Sequence, residues 1–166
     1  MFALFVISHF LIRERTDNPG AAARMRFGLD PLTEARAYSD VLPFGDNKAL
    51  LRTAALICLH PSIPQVEGVS LGVSFRKISN AKFGDLDPDR PNTIATRLLQ
   101  MADQDLDEAS SSINRILSMA DNLNIGVNYY RLGDTLLHWG NGISEESQHV
   151  RRRLLRDFYQ QQKEQA

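Results

Sequence analysis

Four arginines fall within six residues near the end of this chain: Arg151, Arg152, Arg153 and Arg156. A guanidinium stays charged at any physiological pH and forks onto paired oxygens, so the chemistry such a cluster suits is the gripping of phosphate. The intervening residues repeat at helical spacing. Val150, Leu154, Leu155 and Phe158 share one helix face, and the pattern predicts Arg151, Arg152 and Arg156 pointing away from it. Two readings are open at this point, a phosphate-binding face and a merely solvated one. Further basic candidates lie upstream. Arg97 precedes Leu98 on an apolar stripe and is expected to face outward. Arg115, between Asn114 and Ile116, is expected either at a nucleic-acid surface or paired with an acid such as Asp121. Arg24 and Arg26 lie on different faces of a short helix, so one of the two would reach a strand. Arg52, after Leu50-Leu51, is either structural or a contact, and Arg76 and Lys77 are equally undecided. Arg153 lies nearer the apolar side and can pair with Asp157 at i,i+4. Arg131, beside Tyr130, can stack on it or face a partner. Trp139 follows Leu132 and Leu136 on one face and is expected to anchor the core rather than to stack on bases.

Other chemistries find little support. Asp85-Leu86-Asp87-Pro88-Asp89 resembles the start of a calcium loop, but Arg90 stands where glycine is required and Thr96 where glutamate is expected. His9, His60, His138 and His149 are scattered without metal-ligand spacing. The single cysteine, Cys58, sits in an apolar run and reads as a small buried hydrophobe; it permits no intrachain disulfide. No glycine-rich phosphate loop follows a strand, and Ser70-Leu71-Gly72 lacks the strand–turn–helix setting of a nucleophile elbow. The expectation is a protein without catalytic residues, metal or cofactor.

The elements that must position the arginines are helices. Apolar residues recur at three and four spacing, and alternation of period two never runs for long. The first segment, Met1 to Ile12, has its basic residues after the apolar run and is too short to span a membrane; it reads as a core helix. Helices are predicted over 21–27, 48–59, 69–78, from Pro91 through Met101, over 110–123 and 129–139, and from Ser144 onward. Asp46 or Asn47, Asn128 and Ser144 are the caps. Gly72 is expected where another backbone approaches closely. Asn80 to Asn92 reads as a loop, and the polar tail Gln160–Ala166 is expected to fray. The fold expected is an all-α compact bundle of seven to eight helices, either one unit over 1–166 or two small halves, 1–64 and 65–160. The 166 residues are 43% hydrophobic and 23% charged, which fits a globular core. The formal net charge is -1. A chain so nearly neutral is not a strong stand-alone nucleic-acid binder. It would bind through a local patch, beside partners that bring more positive charge.

With the helices placed, seven fragments in order resemble the CasB family, the small subunit of the type I-E CRISPR surveillance complex called Cascade. They are Phe5-Val6 through Asn18-Pro19-Gly20-Ala21-Ala22-Ala23-Arg24-Met25-Arg26; Leu42-Pro43-Phe44 with Leu50-Leu51-Arg52 and Leu59-His60-Pro61; and Gly68-Val69-Ser70-Leu71-Gly72. Next come Arg97-Leu98 with Asp103 and Asp105, then Ile113-Asn114-Arg115. Val127-Asn128-Tyr129 through Trp139 follows, and Val150-Arg151 with Arg156-Asp157-Phe158-Tyr159 closes the set. Phe27, Val73 and Asn114 stand where the family commonly has basic residues, leaving Arg24 or Arg26, Arg76 with Lys77, and Arg115 to make any contact there. The resemblance implies an all-helical, cytoplasmic, non-catalytic protein of antiviral defence. Two copies would lie along a complex built on CRISPR RNA, touching its backbone and large subunits. They would stabilise the R-loop by holding target and displaced DNA strands. The candidate set is then Arg24, Arg26, Arg52, Arg76, Lys77, Arg97, Arg115, Arg151 and Arg152. The alternative is a helical protein–protein adaptor with solvated arginines and no nucleic-acid contact.

Overall fold

The computed structural model describes residues 2–160, with side chains from residue 7 onward. Nine α-helices are present among them: α1 (Phe2–Asp17), α2 (Pro19–Met25), α3 (Tyr38–Val41), α4 (Lys48–Leu59), α5 (Leu71–Phe83), α6 (Thr93–Met101), α7 (Leu106–Ser118), α8 (Tyr129–Leu137) and α9 (Glu145–Tyr159). Short 3₁₀ turns at Arg26–Leu29, Glu34–Ala37 and Leu42–Phe44 join the early helices. The fold is all-α, as expected, with one or two helices more than the sequence pattern predicts. Within the described residues the sole extended pairing is an isolated bridge between Gln65 and Val127.

Polar caps explain where the helices start. The side chains of Asn18, Asn47, Ser70, Asn92, Asn128 and Ser144 each accept from a backbone N–H of the first turn. Asp105 and Glu108 close a reciprocal capping box at α7. These caps correct several predicted boundaries. Helix α5 begins at Leu71 rather than Val69 because Ser70 bonds the Val73 N–H. Pro91 lies outside α6 because Asn92 takes the cap, and α7 starts four residues early at the Asp105 box. The predicted fraying of the tail lies outside the described residues beyond Gln160.

Helix α4 is buried on every side from Ala49 to Cys58 and is the axis of the fold. It packs against α1, α2, α3, α7, α8 and the 3₁₀ turn at Arg26–Leu29. The first helix docks as predicted, with Ser8 and Leu11 fully enclosed. Arg15, near its end, donates to the carbonyls of Ile57, His60 and Ile63, fastening α1 to the end of α4, and covers the Tyr129 ring at 5.5 Å. The later helices form a second layer: α5 lies against α9 and α6, and α6 touches both α7 and α9. Helix α7 also reaches α4, so apolar contact runs without a break from Leu11 to Phe158. At the α5–α9 crossing the helices meet at Gly72, where a Cβ would stand 2.5 Å from the Leu154 carbonyl oxygen. That is the close approach expected of this glycine.

Candidate nucleic-acid interface

The nine basic residues proposed from sequence separate into three groups. Two are interior. Arg52 is 0% exposed. Its Nη1 donates to the Gly28 carbonyl at 2.6 Å and its Nε to Asp107 at 2.9 Å. Glu34 pairs with it at 2.6 Å. It ties two 3₁₀ turns and α7 to the central helix, which removes it from the candidate surface. The reason is local: Arg52 lies mid-way along a helix with no solvent-facing side, so its charge must be met by carboxylates inside. The same carboxylate shows the balance of forces. Desolvation would raise the Glu34 pKa, but hydrogen bonds from Arg52 and Tyr38 hold it below the ordinary carboxylate value.

Arg151 is the second correction. It is 6% exposed, on the inner face of α9. The buried residues of that helix are Ser147, Arg151, Leu154 and Phe158, a four-three-four spacing that runs through the arginine rather than past it. Its guanidinium donates to the carbonyls of Ala102 (2.7 Å), Gln104 (2.9 Å), Gly140 (3.0 Å) and Trp139 (3.2 Å), and its Nε to Ser147 Oγ at 3.3 Å. It also stacks over the Trp139 ring at 4.5 Å. Burial lowers its pKa, opposed by the charge of Asp103. Trp139 is the core anchor the spacing predicts, 1% exposed, with its Nε1 donating to the Gln104 carbonyl at 2.9 Å.

A second group is at the surface but engaged. Arg24 makes a bidentate pair with Asp40, two contacts of 2.8 Å, and holds that carboxyl below its ordinary pKa. Arg26 is exposed and donates to the Cys58 carbonyl at 3.1 Å, capping the end of α4. Arg76 is half-buried and donates to the Gln160 carbonyl, joining α5 to the end of α9. Arg153 and Arg156 both lie against Asp157, at 4.0 and 2.9 Å.

Three of the remaining four face outward. Lys77 on α5, Arg115 on α7 and Arg152 on α9 are exposed, and none has an ion-pair partner within 4 Å among the described residues. Arg97 on α6 is half-buried, and its Nε is enclosed without a hydrogen-bond partner there. These four residues stand on the four helices of the second layer. Arg115 borders an open groove of about 530 Å³ that is also lined by Asp30, Asp107 and Glu108, and the expected Asp121 makes no ion pair with it. Sequence reasoning passed over Arg36, exposed and stacked on the Phe27 ring at 4.4 Å. The nine-residue spacing between them carries no helical signal, and only the 3₁₀ turns bring them together.

His60 bonds Asn114 at 2.7 Å, and burial lowers its pKa; His138 lies near Asp134 and Glu146. Among the described residues, no group of three His, Cys, Asp or Glu side chains could hold a metal ion, and no helix is long and apolar enough to cross a membrane.

The described residues thus define a two-layered, all-helical protein with a basic set on its second layer. The family model for CRISPR-associated protein Cse2 matches residues 13–159, and the chain belongs to that family. Solved structures share its fold. A CasB from Thermus thermophilus is 24% identical, covering 94% of this chain and 97% of that one, with a TM-score of 0.69. A CasB from Thermobifida fusca is 18% identical, covering 96% and 99%, with a TM-score of 0.68. A chain of a structure described as a CRISPR RNA-guided surveillance complex is 21% identical, covering 94% and 90%, with a TM-score of 0.67. No curated protein matches the chain by sequence.

Proposed function

We propose that this chain is the non-catalytic small subunit of a type I-E CRISPR RNA-guided surveillance complex, working in the cytoplasm beside the backbone and large subunits and a second copy of itself. The observation that carries the reading is the Cse2 family match over 13–159, and the likeness to a chain of a CRISPR RNA-guided surveillance complex supports it. In this role the subunit favours the open R-loop. Opening a target duplex exchanges it for a guide–target duplex of similar stability, so a modest protein contribution decides the balance. A track of guanidinium and ammonium groups provides that contribution without reading bases. Arg97, Arg115, Arg152 and Lys77 are the residues assigned to it; Arg24, Arg52 and Arg151 are not.

The adaptor reading is favoured by one observation, the capture of Arg24, Arg52 and Arg151 by the protein's own acceptors. A salt titration of target-DNA binding by the assembled complex separates the two. Each phosphate contact contributes to the slope of log K against log salt, about -0.7 to -0.9 per contact. Replacing Arg97, Arg115 and Arg152 together by alanine is expected to lower that slope by ~2 to 3. A slope and affinity equal to wild type would refute the assignment and leave the adaptor.

A further inference from the structure

We infer that Arg151 is a positioning residue for this basic set: it touches no strand, yet it fixes the relation of the three helices that carry Arg97, Arg115 and Arg152. The inference rests on the R-loop reading above.

The geometry begins with where its acceptors lie. Ala102 and Gln104 form the connection between α6, which ends at Met101, and α7, which starts at Leu106. Trp139 and Gly140 form the connection between α8 and α9. One guanidinium therefore gathers two loops onto α9. Four carbonyls converge on it, and three other bonds brace the same point. Trp139 Nε1 donates to the Gln104 carbonyl, Ser112 Oγ of α7 donates to the Gln104 side chain at 2.8 Å, and Ser147 Oγ donates to the Trp139 carbonyl. Gly142 lies beside it and adopts φ +81°, a left-handed backbone conformation that favours glycine.

Arg97 stands four residues before the end of α6, Arg115 on α7, and Arg152 directly follows Arg151 on α9. A buried planar fork with its donors engaged admits few alternative poses, so the splay of these helices is set at one point. A lysine at 151 keeps the charge and most of the stem. Its three donors radiate from one nitrogen and cannot meet all four carbonyls that the two terminal guanidinium nitrogens hold.

The test uses the reconstituted complex and four forms of this subunit: wild type, Arg151→Lys, the triple Arg97/Arg115/Arg152→Ala, and the triple with Arg151→Lys added. Thermal unfolding first fixes a temperature at which every form is folded. If Arg151→Lys does not fold, Trp139→Phe replaces it, removing the Nε1 bond to Gln104 while leaving a smaller aromatic ring under the guanidinium. Target-DNA affinity is then measured between about 50 and 200 mM salt. The expected result is about tenfold weaker binding and a salt slope lower by ~1 for Arg151→Lys in the wild-type background, and no further change in the triple background. A further loss in the triple background would make residue 151 a direct contact and overturn the inference. So would unchanged slope and affinity in a folded Arg151→Lys subunit, which is the outcome for a purely structural residue. An inert triple would instead refute the R-loop assignment of the three arginines, and the positioning role would fall with it.

Discussion

Replacing Gly72 by alanine tests the packing on which the second layer depends. An alanine Cβ would lie 2.5 Å from the Leu154 carbonyl oxygen, 2.8 Å from Asp157 Cβ and 2.8 Å from the Phe158 nitrogen. Ordinary contact begins at 3.4 Å, so α9 must retreat by about 0.9 Å, and two of the three obstructing atoms are backbone. They cannot swing aside as a side-chain end would. Two effects oppose each other. Alanine in a helix interior is favoured over glycine by about 1 kcal/mol, an upper bound for Gly72 in the first turn of α5. Overpacking costs about 1–3 kcal/mol, and a helix displaced by nearly 1 Å also loses a quarter to a half of each dispersion contact along the seam. Phe75 of α5 and Leu154 and Phe158 of α9, all buried, stand to lose them. The net expectation is destabilisation by about 2 kcal/mol, a fall in Tm of roughly 4–8 °C for a chain of this size. Thermal unfolding followed by far-UV circular dichroism, with a urea midpoint at constant m, measures it. Gly20→Ala is the control. Its Cβ would meet only Arg24 Nη1 at 3.6 Å and Asn18 Oδ1 at 3.8 Å, both ordinary contacts, so stability should hold or rise by up to ~0.5 kcal/mol. A Gly72→Ala protein as stable as wild type would mean that α5 and α9 do not cross at this glycine.

Arg52→Met should cost about 3 kcal/mol, because it strands Glu34 and Asp107 beside the core, and should leave the salt slope of DNA binding in the assembled complex unchanged; a lower slope would return Arg52 to the interface. Acid should destabilise the N-terminal layer. The folded pKa values of Glu34 and Asp40 are lowered, so their contribution is present above the unfolded values, 4.5 and 3.8, and is lost as pH falls through the folded ones. Tm should therefore drop below about pH 4.5, and the drop should be shallower in Glu34→Gln; equal slopes for the two proteins would contradict the pairing. Cys58 is fully enclosed and burial pushes its thiol up to about 11, so a thiol reagent should label it only in denaturant, and rapid labelling of the folded protein would contradict its burial.

Much of the fold was legible in the sequence because its signals are local. A cap such as Ser144 or Asn128 acts on an N–H two or three residues away, and a stripe such as Leu132, Leu136 and Trp139 repeats within one helix. The all-helical class, the core role of Trp139 and the close approach at Gly72 follow from such signals. The ordered fragments, spread over most of the chain, were enough for the family. The basic site was less legible. An arginine within a helix reads as surface unless something remote accepts its protons, and the partners of Arg52 lie at Gly28, Glu34 and Asp107, those of Arg151 at Ala102, Gln104, Trp139 and Gly140. One clue was present in the chain: Ser147, Arg151, Leu154 and Phe158 keep the spacing of a packed seam. It was masked by the more apolar set through Val150 and Leu155, which are only partly buried.

What the sequence determined by itself is the helical class, the caps at Asn128 and Ser144 and the family, since these depend on residue type and on neighbours within a few positions. What only the tertiary structure decided is which guanidinium groups are left for a partner. A helix of this kind can turn either of two adjacent faces inward, and the choice was made by carbonyls on distant loops that must be satisfied once buried. Arg151 meets them, and Arg152, one residue on and rotated by about 100°, is left facing outward.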